Sequence, residues 1–316
     1  MNSPSAADAL NDRLVNGPPI LMDGGTGTEI ERMGAAMHPT AWSARAALTD
    51  PDTVRSVHGA FLGAGAEIII ANTYPANYHV MAASGLTDEF EPANRRALEL
   101  AHEAREVYRT QTADRTTWVA GSMSTTTFSS GLDQSIISTV HTPGEGYRAQ
   151  ANIIAEVDVD LIILEMMRDV TETRLCLDAA METGLPVWLG LSIELSTDGD
   201  LALHGSKIRF ADAVAQILDG RTALQAVGVM HSELSCTSDA LETLSRLWDG
   251  PLFAYPHHGV FEMPHWRFDN TLAPEDFANA ALDWIGQGAT AVGGCCGIRP
   301  DHIAALRRRM NALRQP

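Results

Sequence analysis

The chain has 316 residues, of which 45% are hydrophobic, so it has enough apolar side chains for a large buried core. It carries 40 acidic and 22 basic residues, a net charge of −18, which disfavours nucleic acids and anionic membranes as partners. No run reaches the roughly 18 apolar residues that a membrane span needs, and residues 1–11 lack the basic and apolar parts of a signal peptide. We therefore expect a soluble, cytoplasmic protein.

Short apolar runs alternate along the chain with longer stretches of helical spacing. The eight runs are 20–22, 67–71, 117–120, 161–164, 187–191, 224–229, 252–255 and 289–292. The helical stretches are 51–63, 91–109, 171–183, 209–218, 238–248 and 274–287. Eight strands that alternate with helices predict a (β/α)8 barrel, a single domain over 1–316 with its core at about 18–312. An open doubly wound sheet is the alternative.

The segments between these elements carry the next predictions. Ser238 begins a polar-to-apolar run and is predicted to start a helix. The longer connections 122–141 and 192–206 are predicted to be βα loops over the top of the barrel.

Polar side chains follow each of the eight runs. They are Asp23, 72–74, 121–122, Glu165, Ser192, His231, 256–258 and 295–296, in strand order. Barrel enzymes build their active sites at the carboxyl ends of their strands. We therefore expect these side chains to meet in one active site.

The most specific motif is the stretch 293–297, which reads Gly-Gly-Cys-Cys-Gly. Four cysteines are too few for a disulfide scaffold, and neighbours in sequence rarely bridge each other. Two thiolates on a glycine loop suit one soft metal ion. Cys295 and Cys296 are thus predicted metal ligands, although the residues alone also leave redox and structural roles open.

Several motifs together resemble the homocysteine S-methyltransferase family, in order and spacing from about residue 20 to residue 307. They are 21–29 (LMDGGTGTE), 42–43, 50–52 with His58, 64–66, 72–74, Glu165, 255–256, and 293–297 with Pro300 and Ile303. The resemblance implies a (β/α)8 barrel that binds zinc through cysteine thiolates. It implies transfer of a methyl group from an onium or methyl-folate donor to the sulfur of homocysteine.

The length leaves no room for a cobalamin- or folate-binding module, which favours a small donor such as S-methylmethionine, S-adenosylmethionine or a betaine. The expected partners are this donor and an amino-acid thiol. The sequence leaves the oligomeric state open, a homo-oligomer included.

The metal site departs from the family at the end of the sixth strand. The family has a third zinc cysteine there, in a Gly-Val-Asn-Cys sequence, whereas this chain reads Gly-Val-Met-His at 228–231. Imidazole is a normal zinc ligand beside two cysteines, so His231 is the predicted third ligand. Cys236 is the second candidate, and a histidine that faces solvent without a metal is the other interpretation of His231.

The remaining site residues are predicted to bind the substrates. Asp23 and Glu165 are suited to bind an ammonium group, the role that the resemblance implies, so they are also the predicted catalytic residues. The alternative for both is a structural carboxylate that caps a helix or pairs with an arginine. The backbone amides of Thr26, Gly27 and Thr28 are candidates for binding a carboxylate, with a plain tight turn as the alternative. Gly24, Thr73 and Tyr74 are further candidate substrate-binding residues. Trp42, Tyr74 and Trp266 are predicted to form an aromatic wall for an onium group, with ordinary packing as the alternative for Trp266.

Other differences from the family predict a substrate pocket with altered specificity. Where relatives have different residues, this chain has Ala71, Pro75, Met166 and a 257–258 histidine pair. A related thiol, a selenol or an unusual donor would suit the same machinery. His257, His258 and His265 are candidates for a second metal site or for acid–base work, with solvated loop histidines as the alternative.

Two functions of other classes compete with the methyltransferase. A phosphate-binding barrel enzyme would use Gly293 and Gly294 to hold an anion, but the chain has no Lys or Arg there before Arg299. A non-catalytic zinc or redox sensor would use Cys295, Cys296 and His231, but it would leave the carboxylates at other strand ends without a purpose.

Overall fold

The computed structural model describes residues 5–112, 116–125, 142–221, 223–268 and 272–313. Eight parallel strands form one sheet, and in the order of neighbours they are 20–21, 289–292, 252–257, 226–233, 187–191, 161–167, 118–123 and 68–70. A parallel bridge between Met22 and Ile68 and a bond from Asp23 N to Ile68 O (3.0 Å) join its two ends. The sheet is therefore a (β/α)8 barrel, as predicted, and the doubly wound alternative is wrong.

The barrel strands are β1 (Ile20–Leu21), β2 (Ile68–Ile70), β3 (Trp118–Met123), β4 (Leu161–Met167), β5 (Val187–Leu191), β8 (Ala226–Glu233), β9 (Leu252–His257) and β12 (Ala289–Val292). Two antiparallel hairpins lie outside the barrel, β6 (Ile193–Leu195) with β7 (Leu201–Leu203) and β10 (Val260–Glu262) with β11 (His265–Arg267).

The helices are α1 (Ala6–Asn16), α2 (Thr26–Arg32), α3 (Ala46–Thr49), α4 (Pro51–Ala64), α5 (Tyr78–Ala83), α6 (Phe90–Gln111), α7 (Pro143–Glu156), α8 (Val170–Met181), α9 (Phe210–Leu218), α10 (Leu234–Ser245), α11 (Pro274–Gly286) and α12 (Pro300–Ala312). Local chemistry sets many of their ends. Pro51 stands in the first turn of α4, and Gly65 ends that helix with a left-handed φ of 108°. Thr142 and Glu145 form a capping box at the start of α7.

The strands are buried on both faces, which explains why they appear in the sequence as continuous apolar runs. Ile20, Met22 and Trp188 belong to the cluster that fills the barrel, whereas Leu21 and Leu189 belong to the cluster between strands and helices. The alternation of side chains along each strand thus divides the core into two layers.

The six predicted helices all exist, but one boundary is wrong. α10 begins at Leu234, so Ser238 lies inside the helix instead of capping it. The pattern missed α1, α2, α3, α5, α7, α12 and both hairpins. Residues 193–203 of the predicted loop 192–206 hold the hairpin β6–β7. In the other predicted loop, residues 126–141 lie outside the described residues.

The described residues contain no helix that is both long enough and apolar enough to cross a membrane.

His58 on α4 predicts a pH-dependent stability. Its side chain is fully buried, neither ring nitrogen has a partner among the residues described, and burial lowers its pKa to about 4. As the pH drops, His58 is protonated near pH 6.5 in the unfolded chain but only near pH 4 in the folded chain. The free energy of unfolding therefore falls between about pH 6.5 and about pH 4, and this loss stops below that range. The full cost is about 3 kcal/mol.

We expect His58→Phe to remove this part of the pH dependence. The measurement is urea unfolding of both proteins at intervals from pH 7 to pH 4, because the difference between the two curves isolates this one group. Parallel curves for the wild type and the variant would contradict the prediction.

Candidate metal and substrate site

Three potential metal ligands meet at the mouth of the barrel. Cys295 Sγ lies 3.5 Å from Cys296 Sγ, 3.1 Å from His231 Nε2 and 3.3 Å from His231 Nδ1. All three side chains are buried. Within the described ranges, this is the one group of three His, Cys, Asp or Glu residues that is arranged to hold a metal ion.

The loop that carries the two cysteines is pinned by backbone hydrogen bonds to its neighbours. Gly294 N donates to Asp23 O (3.2 Å) after β1, and Cys295 N donates to Pro256 O (2.6 Å) in β9. The backbones are so close that a Cβ on Gly293 would lie 2.7 Å from the same Asp23 oxygen. This position therefore requires glycine, and the thiols are held in place before any ion binds.

His231 reaches the two cysteines from β8 through an unusual backbone conformation. Its φ is 49°, and the register between β8 and β9 shifts between Met230 and Glu233. Ser192 Oγ donates to the His231 carbonyl oxygen (2.8 Å), and the Tyr74 ring stacks on the imidazole with centroids 5.1 Å apart. The irregular backbone turns the imidazole toward the cysteines.

Cys236, the second candidate for the third ligand, lies elsewhere. It sits on α10, and its Sγ donates to Glu233 O (3.2 Å). The structure thus groups His231, not Cys236, with the cysteine pair.

Burial shapes the electrostatics of this cluster. It raises the pKa of the Cys295 thiol well above the ordinary value, and the nearby Cys296 sulfur raises it further. A thiolate pair in a buried site needs a compensating positive charge. The donor set therefore matches a soft divalent cation, which supplies that charge.

A small inner cavity of about 40 Å³ lies beside the cluster. The predicted substrate residues that line it are Gly24, Thr26, Gly27, Trp42, Tyr74 and Glu165. The Trp42 ring covers Gly27, where a Cβ would overlap it. Glu165 Oε2 lies 3.1 Å from His231 Nε2, so this carboxylate contacts both the cavity and the metal cluster.

Asp23 and Thr73 do not line this cavity. Asp23 lies beneath it, where its carboxylate accepts hydrogen bonds from Ile70 N (2.7 Å) and Tyr255 OH (2.8 Å). Burial raises the pKa of Asp23 despite these donors. Thr73 Oγ1 is engaged with the backbone of Ser122, at 2.7 Å from its O and 2.8 Å from its N. Both residues join neighbouring strands, a function that the sequence pattern does not distinguish from substrate contact.

A larger outer cavity of about 350 Å³ adjoins the inner one. Trp42, Tyr74, His231 and Cys296 line both cavities. The predicted aromatic wall of Trp42, Tyr74 and Trp266 is present here, and Phe261 extends it with ring centroids 5.8 Å from Trp42 and 5.5 Å from Trp266.

Sequence reasoning missed Phe261, Arg168 and Glu233 in this cavity. Arg168 directly follows β4 and Glu233 ends β8, so the strand-end rule that found Glu165 and His231 covers them too. Phe261 lies on the hairpin β10–β11, which carries no sequence signal of that kind.

Backbone strain is concentrated at the two cavities. Four non-glycine residues of the described ranges have positive φ, and three of them, Trp42 (49°), Met166 (54°) and His231 (49°), line a cavity. Left-handed conformations of such residues cost free energy and cluster at functional sites.

The three loop histidines are spread over different surroundings. His257 lines the outer cavity, His258 packs its ring near Phe268 with centroids 6.4 Å apart, and His265 Nδ1 lies 2.7 Å from Glu31 Oε1. No second group of three potential ligands includes them in the part of the chain that the structure describes. The geometry thus does not support a second metal site.

We expect Tyr255→Phe to destabilise the floor of the site. The Tyr255 hydroxyl lies 2.8 Å from both Asp23 Oδ1 and Gly24 O, all buried, so its loss leaves acceptors without a donor. The expected cost is about 1–3 kcal/mol in the free energy of unfolding, measured by urea denaturation. A double-mutant cycle with Asp23→Asn should show coupling, and strict additivity of the two changes would contradict the assignment.

Comparison with known proteins places this geometry in a family. The family model described as homocysteine S-methyltransferase matches residues 20–310. A selenocysteine methyltransferase of Astragalus bisulcatus is 28% identical over 344 aligned positions, covering 100% of this chain and 98% of that protein. Homocysteine S-methyltransferase 4 of Zea mays is 29% identical over 310 positions, covering 91% and 88%.

A solved structure agrees with these relatives. The metallated form of the homocysteine methyltransferase MmuM from Escherichia coli superposes with a TM-score of 0.76 at 25% identity, covering 96% of this chain and 100% of that one. The fold, the family match and the full-length relatives lead to one conclusion, that this chain belongs to the homocysteine S-methyltransferase family and is a methyltransferase enzyme.

Proposed function

We propose that this enzyme is a zinc-dependent S-methyltransferase that moves a methyl group from a small onium donor to the thiol of homocysteine or to a related thiol or selenol. The observation that carries the proposal is the junction of the two cavities at His231 and Cys296. Two substrates in adjoining cavities can meet at a metal cluster, as a direct transfer between them requires.

The residues fit a zinc ion. Zinc takes tetrahedral sets of Cys and His, with sulfur ligands about 3.8 Å apart at normal bond lengths. The Cys295–Cys296 separation of 3.5 Å is close to this value without rearrangement of the loop. We assign Cys295, Cys296 and His231 as the protein ligands, which leaves the fourth position for the acceptor.

Zinc bound there would remove the proton from the acceptor's thiol and keep its sulfur as a nucleophilic thiolate. With two thiolates and one imidazole the site is formally neutral, whereas three thiolates would give it a charge of minus one. We expect this neutral site to favour deprotonation of the acceptor more strongly and to leave its sulfur less nucleophilic.

The acceptor is proposed to occupy the inner cavity. Glu165 Oε2 is near His231, and Oε1 has no hydrogen-bond partner within the described ranges, so Oε1 is available for the ammonium of an amino acid. The first amides of α2, at Thr26 and Gly27, have no intrahelical acceptor and can bind the carboxylate. A direct contact of Asp23 with the ammonium stays a prediction, because its carboxylate lies beneath the cavity.

The carboxylate of Glu165 has a second use. A hydrogen bond to one ring nitrogen of a ligating histidine orients the ring and leaves the other nitrogen for the metal. Glu165 is placed to do this through His231 Nε2. Both ring nitrogens lie within 3.3 Å of Cys295 Sγ, so a bond from Nε2 to Glu165 would leave Nδ1 for the metal.

The donor is proposed to occupy the outer cavity. Faces of Trp42, Tyr74 and Trp266 attract a methylated cation. In the transfer the acceptor's sulfur forms a bond to the methyl carbon while the donor's bond to that carbon breaks. The bonding pair stays on the donor, which leaves as a neutral thioether or amine. The protein needs no general base for this step and contributes alignment.

Selenocysteine is the second candidate for the acceptor. Relatives from Astragalus bisulcatus and Brassica oleracea var. italica, at 28% and 27% identity over nearly the whole chain, are named as selenocysteine methyltransferases. A selenolate is a soft metal ligand like a thiolate and belongs to an amino acid with the same ammonium group, so the inner cavity suits either acceptor.

The test combines metal content with activity. Cys296→Ala is expected to weaken zinc binding by more than about 100-fold, beyond the usual effect of changing a group that only supports a ligand, and to abolish methyl transfer. Cys236→Ala is the matched control, because this buried cysteine lies outside the cluster. This variant should keep both zinc binding and methyl transfer.

Zinc is counted by elemental analysis, and transfer is measured as methyl thioether or selenoether formed from a matrix of thiols, selenols and onium donors. Full activity of a metal-free protein would overturn the role of zinc. Failure of every amino-acid acceptor with every onium donor would overturn the proposed function.

A further inference from the structure

Arg168 is a positive charge in the outer cavity that the proposed chemistry has not used. It directly follows β4, is half-buried and lines the cavity with Tyr74 and Trp266. Among the described residues, no carboxylate lies within ion-pair distance of its guanidinium, and it has no hydrogen-bond partner there either.

An unpaired arginine is unexpected in this chain. The sequence has 40 carboxylates for 22 basic residues, and all but one of the other half-buried arginines in the described ranges pair with a carboxylate. The exception, Arg174, donates to the backbone oxygen of Gln216. Arg105 lies 2.7 Å from Asp160, Arg221 lies 2.6 Å from Asp178, and Arg307 lies 2.8 Å from Glu67. A desolvated charge without a partner costs free energy unless a ligand offsets it.

The carboxylates that line the two cavities are engaged or exposed. Asp169, which follows Arg168 in the chain, accepts a hydrogen bond from Glu172 N at the start of α8. Glu165 is directed to His231, at 3.1 Å. Glu233 lines the same cavity, but it is exposed, and its Oε2 lies 3.4 Å from Ser235 Oγ. None of the three carboxylates neutralises Arg168, so the cavity keeps a positive charge at the end of β4.

This charge restricts what the cavity accepts. Arg168 acts electrostatically on both Tyr74 and His204 across the cavity, so it also repels an onium cation placed there. A donor whose own carboxylate pairs with the guanidinium removes that repulsion. Arginine is suited to this pairing, because its planar fork matches the two oxygens of a carboxylate.

We propose that Arg168 binds the carboxylate of the methyl donor, so that the outer cavity selects zwitterionic onium compounds over onium cations that lack a carboxylate. The inference rests on the proposed function. With the carboxylate held at the end of β4, the onium group lies against the aromatic wall, and its methyl group points toward Cys296 and His231. Arg168 is then a positioning residue as well as a specificity determinant.

Binding tests this without the need for turnover. The zinc-loaded enzyme without acceptor is titrated calorimetrically with S-methylmethionine and with its decarboxylated analogue, (3-aminopropyl)dimethylsulfonium. We expect Arg168→Met to weaken the binding of S-methylmethionine by about 10- to 100-fold, which is the effect of losing a charge-assisted hydrogen bond. The same variant should bind the analogue as tightly as the wild type does, or more tightly. Arg168→Lys should restore part of the affinity.

Arg246→Met is the matched control. Arg246 is exposed on the surface beyond α10, where it pairs with Glu242, so its replacement removes the same charge from the same acidic protein. It should bind both compounds as the wild type does. Thermal melts of all variants check that the fold is intact, and Arg168→Gln is a second variant of more polar character if Arg168→Met fails to fold.

The outcomes separate this inference from the proposed function. Equal binding of both compounds by the wild type, or equal loss of both in the Arg168 variants, overturns the role of Arg168, while methyl transfer by the wild type still supports the proposed function. In steady-state kinetics the variants should raise KM for the donor alone. A rise confined to the KM of the acceptor would assign Arg168 to the other substrate and overturn the inference.

Discussion

The attachment of the Cys295–Cys296 loop to the ends of the neighbouring strands β1 and β9 is the constraint on which the site depends. The amides of Gly294 and Cys295 donate to Asp23 O and Pro256 O, and the Gly293 backbone is in close contact with Asp23. Pro256 lies in β9 and Asp23 closely follows β1, so closure of the barrel also places the two thiols. The same rim then supplies the third side chain of the cluster from β8.

A histidine at the third position requires support that a cysteine would not need. The imidazole is larger, and its orientation has to be set, because only one of its two nitrogens can bind a given metal ion. The surroundings of His231 supply this support: a left-handed backbone, the Ser192 bond to its carbonyl, the stacked Tyr74 ring and the Glu165 carboxylate. We regard these contacts as one coupled arrangement.

The two cavities differ in the origin of their walls. The inner one is built mainly from strand ends and the glycine turn after β1, which belong to the barrel, and Trp42 joins it from the segment before α3. The outer one also takes Val260, Phe261 and Trp266 from the hairpin β10–β11, and His204 from the segment after β7, both of which lie outside the barrel. With the proposed assignment of the two substrates, the acceptor site is tied to the fold, while part of the wall around the donor comes from added segments that can change without disturbing the barrel.

The sequence by itself predicted the barrel, because eight continuous apolar runs that alternate with helices have few other arrangements. It also predicted that Cys295, Cys296 and His231 meet at one end of the barrel, because all three follow a strand, but it left Cys236 open as an alternative to His231. Only the tertiary structure decided that Asp23 and Thr73 lie beneath or beside the cavity, that Cys236 lies apart, and that Phe261 and Arg168 line the outer wall. Strand position predicts which rim a residue occupies. Which of its neighbours a side chain contacts depends on distances between segments far apart in sequence, and local patterns do not encode them.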